Sequence, residues 1–198
     1  GFRKRSIGKC IDQQFKTLFK PYIYTGIATT VFHFIIHYSL FGSLHNATYE
    51  TYKVLGGFAL GLPHTATYFG QLFFSCGPMW YLLSLLIGWV LLDAILNIFP
   101  EKYTHWAVLG IMLLGWGTTL VWELPFSLSQ GAVIVPYLYI GYLAKKRRLF
   151  ETPLSGRAKA GLIAAALGVV AGVLLTQSTD CVSLGEWTMG PLSILLDA

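Results

Sequence analysis

The stretch GPMWYLLSLLIGWVLLDAILNIF occupies residues 77–99 and carries one charged residue, Asp93. At about 1.5 Å per residue, a helix over this stretch crosses a hydrocarbon core roughly 30 Å thick. Apolar side chains lie on every side of such a helix, so lipid or other helices must cover it. The stretch therefore predicts a transmembrane helix.

The rest of the chain has the same character. Hydrophobic residues make up 55% of it and charged residues 12%, with a mean hydropathy of +0.59, which excludes an ordinary soluble domain. We predict an all-α, polytopic transmembrane helix bundle with about five full spans, a sixth span that begins near Pro191 and one re-entrant or interfacial segment. The predicted spans cover 21–42, 77–99, 105–122, 124–144 and 160–178.

Basic residues indicate the topology. With Gly1 on the cytoplasmic side, thirteen of the fourteen Lys and Arg residues lie inside and only Lys53 lies outside. If 54–76 crossed the membrane, the cluster 145–148 would be translocated, against the positive-inside bias. We therefore expect 54–76 to be re-entrant or interfacial on the outer side, where it lines a cavity, and 45–53 to be a polar loop. The net charge of +5 thus reflects topology, and we expect no nucleic-acid partner.

The first twenty residues form a separate unit in this interpretation. Ile11, Phe15, Leu18 and Phe19 recur at helical spacing among basic residues, which predicts an amphipathic segment over 1–20 on the cytoplasmic interface. The chain opens without Met and stops where a helix has just begun. We therefore expect an internal fragment, with a membrane domain over 21–198 that is incomplete at both ends.

Four motifs occur in a characteristic order. They are FKTLFKPY at 15–22, PMWYLL at 78–83, LPFSL at 124–128 followed by PYLYIGYL at 136–143, and DCVSLGEWTMGPL at 180–192. Together they resemble the integral-membrane acyltransferase family 3, particularly its fucose 4-O-acetylase-like branch. The family's Trp-Phe-Leu-Pro motif has become Trp80-Tyr81-Leu82-Leu83 here.

The resemblance implies an enzyme, a membrane-bound O-acyltransferase of the cell (inner) membrane. The donor would be acetyl-CoA or another acyl-CoA, and the acceptor a carbohydrate hydroxyl of the cell envelope. Beyond these two substrates we expect the lipid bilayer as a partner and no bound cofactor. The family's catalytic His belongs to a helix expected before Gly1, so the catalytic residue is unknown within this chain and we expect the chain alone to be inactive.

Five residues are candidate contacts for the acceptor. His33 and His37 are spaced i, i+4 and face one side of the first predicted span, as a polar wall or proton relay, or as a pair hydrogen-bonded to neighbouring helices. We expect no metal site, since no third ligand has helical spacing. The others are His64, if the broken segment lines the cavity, and Trp80 and Glu123, for which an ordinary interfacial position is the alternative.

Three residues are candidate contacts for the acyl donor. Asp93 shares a helix face with Asn97 at the predicted cytoplasmic end, and Arg147 and Arg148 can hold CoA phosphates in bidentate hydrogen bonds. The alternatives are solvation of a helix end for Asp93 and topological charge for the arginines.

Two other functions remain open. A broken apolar segment beside a polar cavity is also typical of a transporter or exporter of a sugar or small organic acid. A non-enzymatic sensor module is the third possibility. Cys76 and Cys181 both lie on the predicted outer side, where a disulfide is conceivable in an oxidising compartment.

Overall fold

The computed structural model describes residues 7–121 and 124–148, together with Gly156 and Gly161. Helices dominate these residues, as the all-α prediction requires, and a short antiparallel pair of strands, β1 (Ala66–Tyr68) and β2 (Gln71–Phe73), is added to them. The α-helices are α1 (Ile7–Gln14), α2 (Lys20–Phe41), α3 (Leu44–Leu60), α4 (Trp80–Ile98), α5 (Glu101–Val121), α6 (Leu128–Val133) and α7 (Val135–Lys146).

One long helix opens the described chain. α1 continues through a π-helical turn, Phe15–Phe19, into α2 without a break. The turn precedes Pro21, which has no N–H to donate to the carbonyl four residues earlier, so a shift of hydrogen-bond register is favoured there. α1 and the π turn pack against α4. Leu18 and Phe19 are half-buried, whereas Ile11 and Phe15 are 46% and 45% exposed, so α4 covers only part of the apolar side of the N-terminal segment. The position of this segment on a membrane interface stays a prediction.

α2 and α3 form an antiparallel hairpin. α2 ends at Gly42, which has the left-handed conformation, and Ser43 caps α3 by accepting a 3.3 Å hydrogen bond from the backbone N–H of Asn46. The prediction of a polar loop over 45–53 is therefore wrong, because these residues form the first half of α3. The sequence suggested a loop on polarity alone, whereas the cap at Ser43 starts a helix.

The predicted re-entrant segment 54–76 turns back on itself. α3 ends at Gly61 with φ of 59°, and the chain then forms the β1–β2 hairpin, in which Ala66 pairs with Phe73. The backbone N–H of Phe74 donates a 3.2 Å hydrogen bond to the carbonyl of Lys53, which holds the second strand on α3. Its placement on the outer side of a membrane remains a prediction.

α4, α5 and the pair α6–α7 form a bundle. α6 and α7 run parallel to α4, since Gly131 lies against Ile87 while Gly88 lies against Ile134 and Leu138. The two helices meet at an angle of 50° just before Pro136. The continuous span predicted over 124–144 is therefore broken, in keeping with the missing N–H of the proline.

Two helical segments of the described chain, Gly77–Ile98 and Glu101–Val121, are long and apolar enough to cross a membrane. The bent pair α6–α7 makes a third if it counts as one span. The prediction of about five spans is thus not supported. α2 falls short because His33, His37 and several hydroxyl side chains lower its mean hydropathy. The predicted span 160–178 and the start near Pro191 lie outside the described residues.

Candidate functional site

Polar side chains gather at both ends of α4. At one end, which we call the Trp80 end, α3 finishes and α4 begins. The 3₁₀ turn Pro125–Ser127 leads into α6 at the same place. Cys76, Tyr22, Phe58 and Leu83 form its buried core. Because Tyr22 is 3% exposed, its hydroxyl needs a partner, and it donates a hydrogen bond to the carbonyl of Phe58.

Cys76 lies beside the Tyr22 hydroxyl and is 3% exposed. Burial raises the pKa of its thiol to about 11. The thiol therefore stays protonated at neutral pH, whereas a cysteine nucleophile needs the thiolate. Cys181, the partner considered for a disulfide, lies outside the described residues.

Two serine hydroxyls tie the segments at this end together. Ser75 Oγ donates to the carbonyl of Pro63 at 2.7 Å and accepts from the N–H of Gly77 at 3.0 Å. Ser127 Oγ donates to the carbonyl of Gly61 at 2.6 Å. These bonds join the end of α3, the beginning of α4 and the beginning of α6.

Two of the acceptor candidates lie at the Trp80 end. His64 is half-buried and follows Pro63, whose carbonyl Ser75 holds. Trp80 is the first residue of α4, is half-buried and packs against the Tyr22 core, with its ring 5.9 Å edge-on from that of Tyr81. The structure thus brings His64 and Trp80 to the same region, while Glu123 lies outside the described residues.

His33 and His37 lie elsewhere, between α2 and α3. Their rings stack with centroids 5.6 Å apart, and Nδ1 of His33 is 3.3 Å from the Thr51 hydroxyl. Nδ1 of His37 is buried and has no hydrogen-bond partner within the described ranges. His33 is eleven residues beyond Tyr22, or about 16 Å along the helix, so the structure separates this pair from the Trp80 end.

The Lys146 end is where α4 finishes, α5 begins and α7 finishes. Lys146 Nζ lies 2.5 Å from Glu101 Oε1, which joins α7 to α5. His105 lies one turn after Glu101 on α5, and Tyr139 lies about two turns before Lys146 on α7. The Tyr139 hydroxyl is 3.0 Å from Nδ1 of His105, and Tyr139 stacks on Tyr142.

All three donor candidates lie at the Lys146 end. Asp93 and Asn97 are half-buried, and Asn97 Nδ2 donates a 2.7 Å hydrogen bond to the backbone carbonyl of Asp93. Arg147 and Arg148 follow α7 and are exposed, and Arg148 has a φ of 51°. The seventeen residues from Trp80 to Asn97 separate the two ends by about 25 Å, close to the thickness of a hydrocarbon core.

Sequence reasoning missed the contacts of Tyr22, Ser127, His105 and Tyr139. Glu101 and His105 are spaced i, i+4, which could have indicated a shared polar face on α5. Their partners on α7 had no sequence signal. Within 7–121 and 124–148, no group of three or more His, Cys, Asp or Glu side chains is placed to hold a metal ion.

Comparison with known proteins gives one match. A family model described as an acyltransferase domain matches residues 1–196. No curated protein and no solved structure matches the chain.

Proposed function

Because the chain belongs to acyltransferase family 3, we propose that it forms part of a membrane-bound O-acyltransferase that moves an acetyl group from acetyl-CoA to a cell-envelope carbohydrate hydroxyl. The proposal of acyl transfer rests on the family match over residues 1–196. The acetyl donor, the carbohydrate acceptor and the fucose 4-O-acetylase-like branch are proposals that rest on the motif resemblance.

The charge distribution supports a donor site at the Lys146 end. Lys102 and the cluster 145–148 lie there, and by the positive-inside bias this end would face the cytoplasm, where acyl-CoA is found. Arg147 and Arg148 would hold the CoA phosphates. Asp93, one to two turns deeper on α4, would contact the donor from the bundle. We accordingly place the protein in the cell (inner) membrane.

The N-terminal helix meets α4 at a different depth from the one that the predicted span 21–42 implies, because that span would put Tyr22 at the cytoplasmic end. Phe19 and Tyr22 pack beside Trp80, and the preceding α1 runs back along α4. With Trp80 on the outer side, this packing would put the stretch from Ile7 to Tyr22, and not 21–42, beside α4. Gly1 on the cytoplasmic side stays a proposal that rests on the distribution of basic residues.

The acceptor would bind at the Trp80 end. The indole of Trp80 offers an apolar face for a sugar ring, and His64 offers a hydrogen bond to a hydroxyl. Glu123 is proposed as a further acceptor contact from the sequence alone. His33 and His37, about 16 Å along α2, would contact a more distant part of an extended acceptor. In the reaction the acceptor oxygen bonds to the thioester carbonyl carbon, the carbon–sulfur bond breaks, and the hydroxyl proton passes through a base to the leaving thiolate.

The transporter alternative has no support from the comparisons. The family match is to acyl transfer, and a transporter would move its substrate without consuming acyl-CoA. The two functions therefore differ in whether CoA is released.

The test uses membranes that contain the product of the complete natural reading frame, with acetyl-CoA labelled in the acetyl group. We expect label in the envelope carbohydrate and release of one CoA per acetyl group transferred. Trp80→Ala should lower the rate of acetyl transfer at least tenfold. Trp80→Phe should retain most of the wild-type rate, because a phenyl ring can also stack on a sugar ring. Trp106→Ala, at an exposed position of α5, is the matched control and should leave transfer unchanged. Absence of both labelled carbohydrate and CoA release would refute the proposal.

A further inference from the structure

The turn between β1 and β2 presents an aromatic side chain to the surroundings. Phe69 is 96% exposed, the largest exposure among the exposed large apolar side chains of the described chain. In water such an arrangement forfeits the free energy that burial of a phenyl ring provides. The exposed ring therefore needs an explanation in what surrounds it.

The backbone at this residue adds a second cost. Phe69 has a φ of 52° and Gly70 a φ of 75°, so both central residues of the two-residue turn have positive φ. Turns of this kind favour Asn-Gly, Asp-Gly or Gly-Gly, and a bulky residue in the first position is an outlier. Departures from local preference are concentrated at functional positions.

The hairpin that carries Phe69 is fixed to the fold on one side. Tyr68 and Phe73 are buried, and Phe73 lies over Gly56, where an added Cβ would approach its ring to 2.1 Å. On the opposite face Thr67 pairs with Leu72, and Leu72 is 45% exposed. The tip and the outer face thus form one surface, the Phe69 tip, made of Phe69 and Leu72.

The position and charge of this surface favour lipid as its occupant. β2 ends four residues before Gly77, where a segment long and apolar enough to cross a membrane begins. The range 54–92 contains no Asp, Glu, Lys or Arg, and the charges beside the hairpin on α3, Lys53 and Glu50, pair with each other at 2.7 Å. The Phe69 tip itself therefore offers no charge to a partner. Tyr49 and Tyr52, on the helix that holds the hairpin, are also about half exposed. Aromatic side chains next to the end of a span are typical of the headgroup level of a bilayer.

We propose that the Phe69 tip inserts into the headgroup region of the bilayer and anchors the β1–β2 hairpin there. The segment from β2 leads directly to Ser75 and Cys76, so the anchor holds the Trp80 end at the level of the membrane surface. This inference is independent of the proposed acyl transfer, because it concerns lipid contact and its test needs no activity.

The first experiment measures which quencher reaches the tip. The full-length protein, with its natural cysteines replaced by Ala, carries an environment-sensitive fluorophore on Phe69→Cys and is placed in vesicles of phosphatidylcholine and phosphatidylglycerol. Leu114→Cys, in the middle of α5, is the buried-in-lipid reference, and Lys102→Cys, at its charged end, is the aqueous reference.

We expect shallow lipid-attached nitroxides to quench the Phe69 label at least threefold more strongly than aqueous iodide, and deep nitroxides to quench Leu114 best. Stronger quenching by iodide would overturn the proposal. Protection from both quenchers would also overturn it, because a protein surface, from another partner or from the rest of this chain, would then cover the tip.

The second experiment separates anchoring from turn stability. Phe69→Asn suits the turn better but removes the ring, whereas Phe69→Trp keeps an interfacial aromatic. In vesicles we expect amide hydrogen exchange in residues 66–73 to be at least threefold faster in Phe69→Asn than in Phe69→Trp. The reverse order would mean that turn preference alone sets the stability of the hairpin, and would contradict the anchor.

Discussion

The hydroxyl of Ser127 donates a 2.6 Å hydrogen bond to the carbonyl oxygen of Gly61, and both residues have left-handed backbone conformations, with φ of 53° and 59°. The bond connects the end of α3 to the beginning of α6 across 66 positions of sequence. Phe126 also has a positive φ of 63°, so the tertiary contacts hold two successive non-glycine residues in an unfavourable region.

Removal of the Ser127 hydroxyl should destabilise the fold by an amount that depends on the replacement. Ser127→Ala leaves a buried carbonyl without its donor and keeps the left-handed strain, so we expect a loss of about 1–3 kcal/mol. Ser127→Gly loses the same bond but relieves about 1 kcal/mol of strain. In detergent, the thermal unfolding midpoint should therefore be highest for the wild type, lower for Ser127→Gly and lowest for Ser127→Ala. Equal midpoints for the two variants would show that the backbone is not strained there.

Two glycines of α5 should respond differently to the same substitution. A Cβ on Gly115 would lie 2.6 Å from the Ala132 Cβ and 2.9 Å from the Ser129 carbonyl oxygen, both on α6, whereas Gly110 has nothing within 4 Å. Gly115→Ala should cost about 1–3 kcal/mol through overpacking. Gly110→Ala should be neutral or stabilising by up to about 1 kcal/mol through helix propensity. Unfolding midpoints measured side by side give the comparison, and similar effects at both positions would contradict the close contact of α5 with α6.

The stability of the protein should depend on the ionisation of Cys76 at high pH. Burial raises the pKa of this thiol from 9.0 to about 11. Between these values the unfolded chain has released the proton and the folded chain has kept it, so stability falls as pH rises through this window. Below pH 9 the Cys76 thiol is protonated in both the folded and the unfolded chain, so its ionisation does not lower the stability.

The measurement is the difference in unfolding midpoint between wild type and Cys76→Ala from pH 7 to pH 11. We expect this difference to be constant up to about pH 9 and then to shift in favour of the variant. A difference that does not change with pH would show that the thiol is not desolvated. Slow alkylation of Cys76 at neutral pH by a water-soluble maleimide is the accompanying expectation.

Arg147 and Arg148 should contribute to the affinity for the donor if they hold CoA phosphates. Loss of a charge-assisted hydrogen bond is worth about 1.5–3 kcal/mol, so Arg147→Gln combined with Arg148→Gln should raise the Kd for acetyl-CoA roughly tenfold or more. The control is Glu101→Gln combined with Lys146→Gln. It removes the ion pair at the same end and leaves the local net charge unchanged. Equal weakening in both double variants would assign the effect to the structure of this end.

The sequence predicted the spans at 77–99 and 105–122 well, and the observed α4 and α5 differ from them by a few residues at each end. A run of apolar residues long enough to cross a membrane permits few other structures, so local composition decides these elements. The same reasoning failed at 45–53, where polarity was taken for a loop although Ser43 caps a helix.

The candidate site was predictable only in part. Spacing placed His33 and His37 on one helix face, and their rings do stack. The contacts of His105 with Tyr139 and of Ser127 with Gly61 join residues far apart in sequence, and a single sequence contains no signal for such pairs. The roles of the acceptor and donor candidates stay predictions.

The uninterrupted helix from Ile7 to Phe41 has a consequence for how force passes through the molecule. Its 35 residues extend about 50 Å, whereas a hydrocarbon core is about 30 Å thick. Such a rod must tilt strongly or protrude from the core. A displacement near Ile7 would pass along one continuous helix to Phe41. We therefore expect the two ends of this helix to be mechanically coupled and not to move independently.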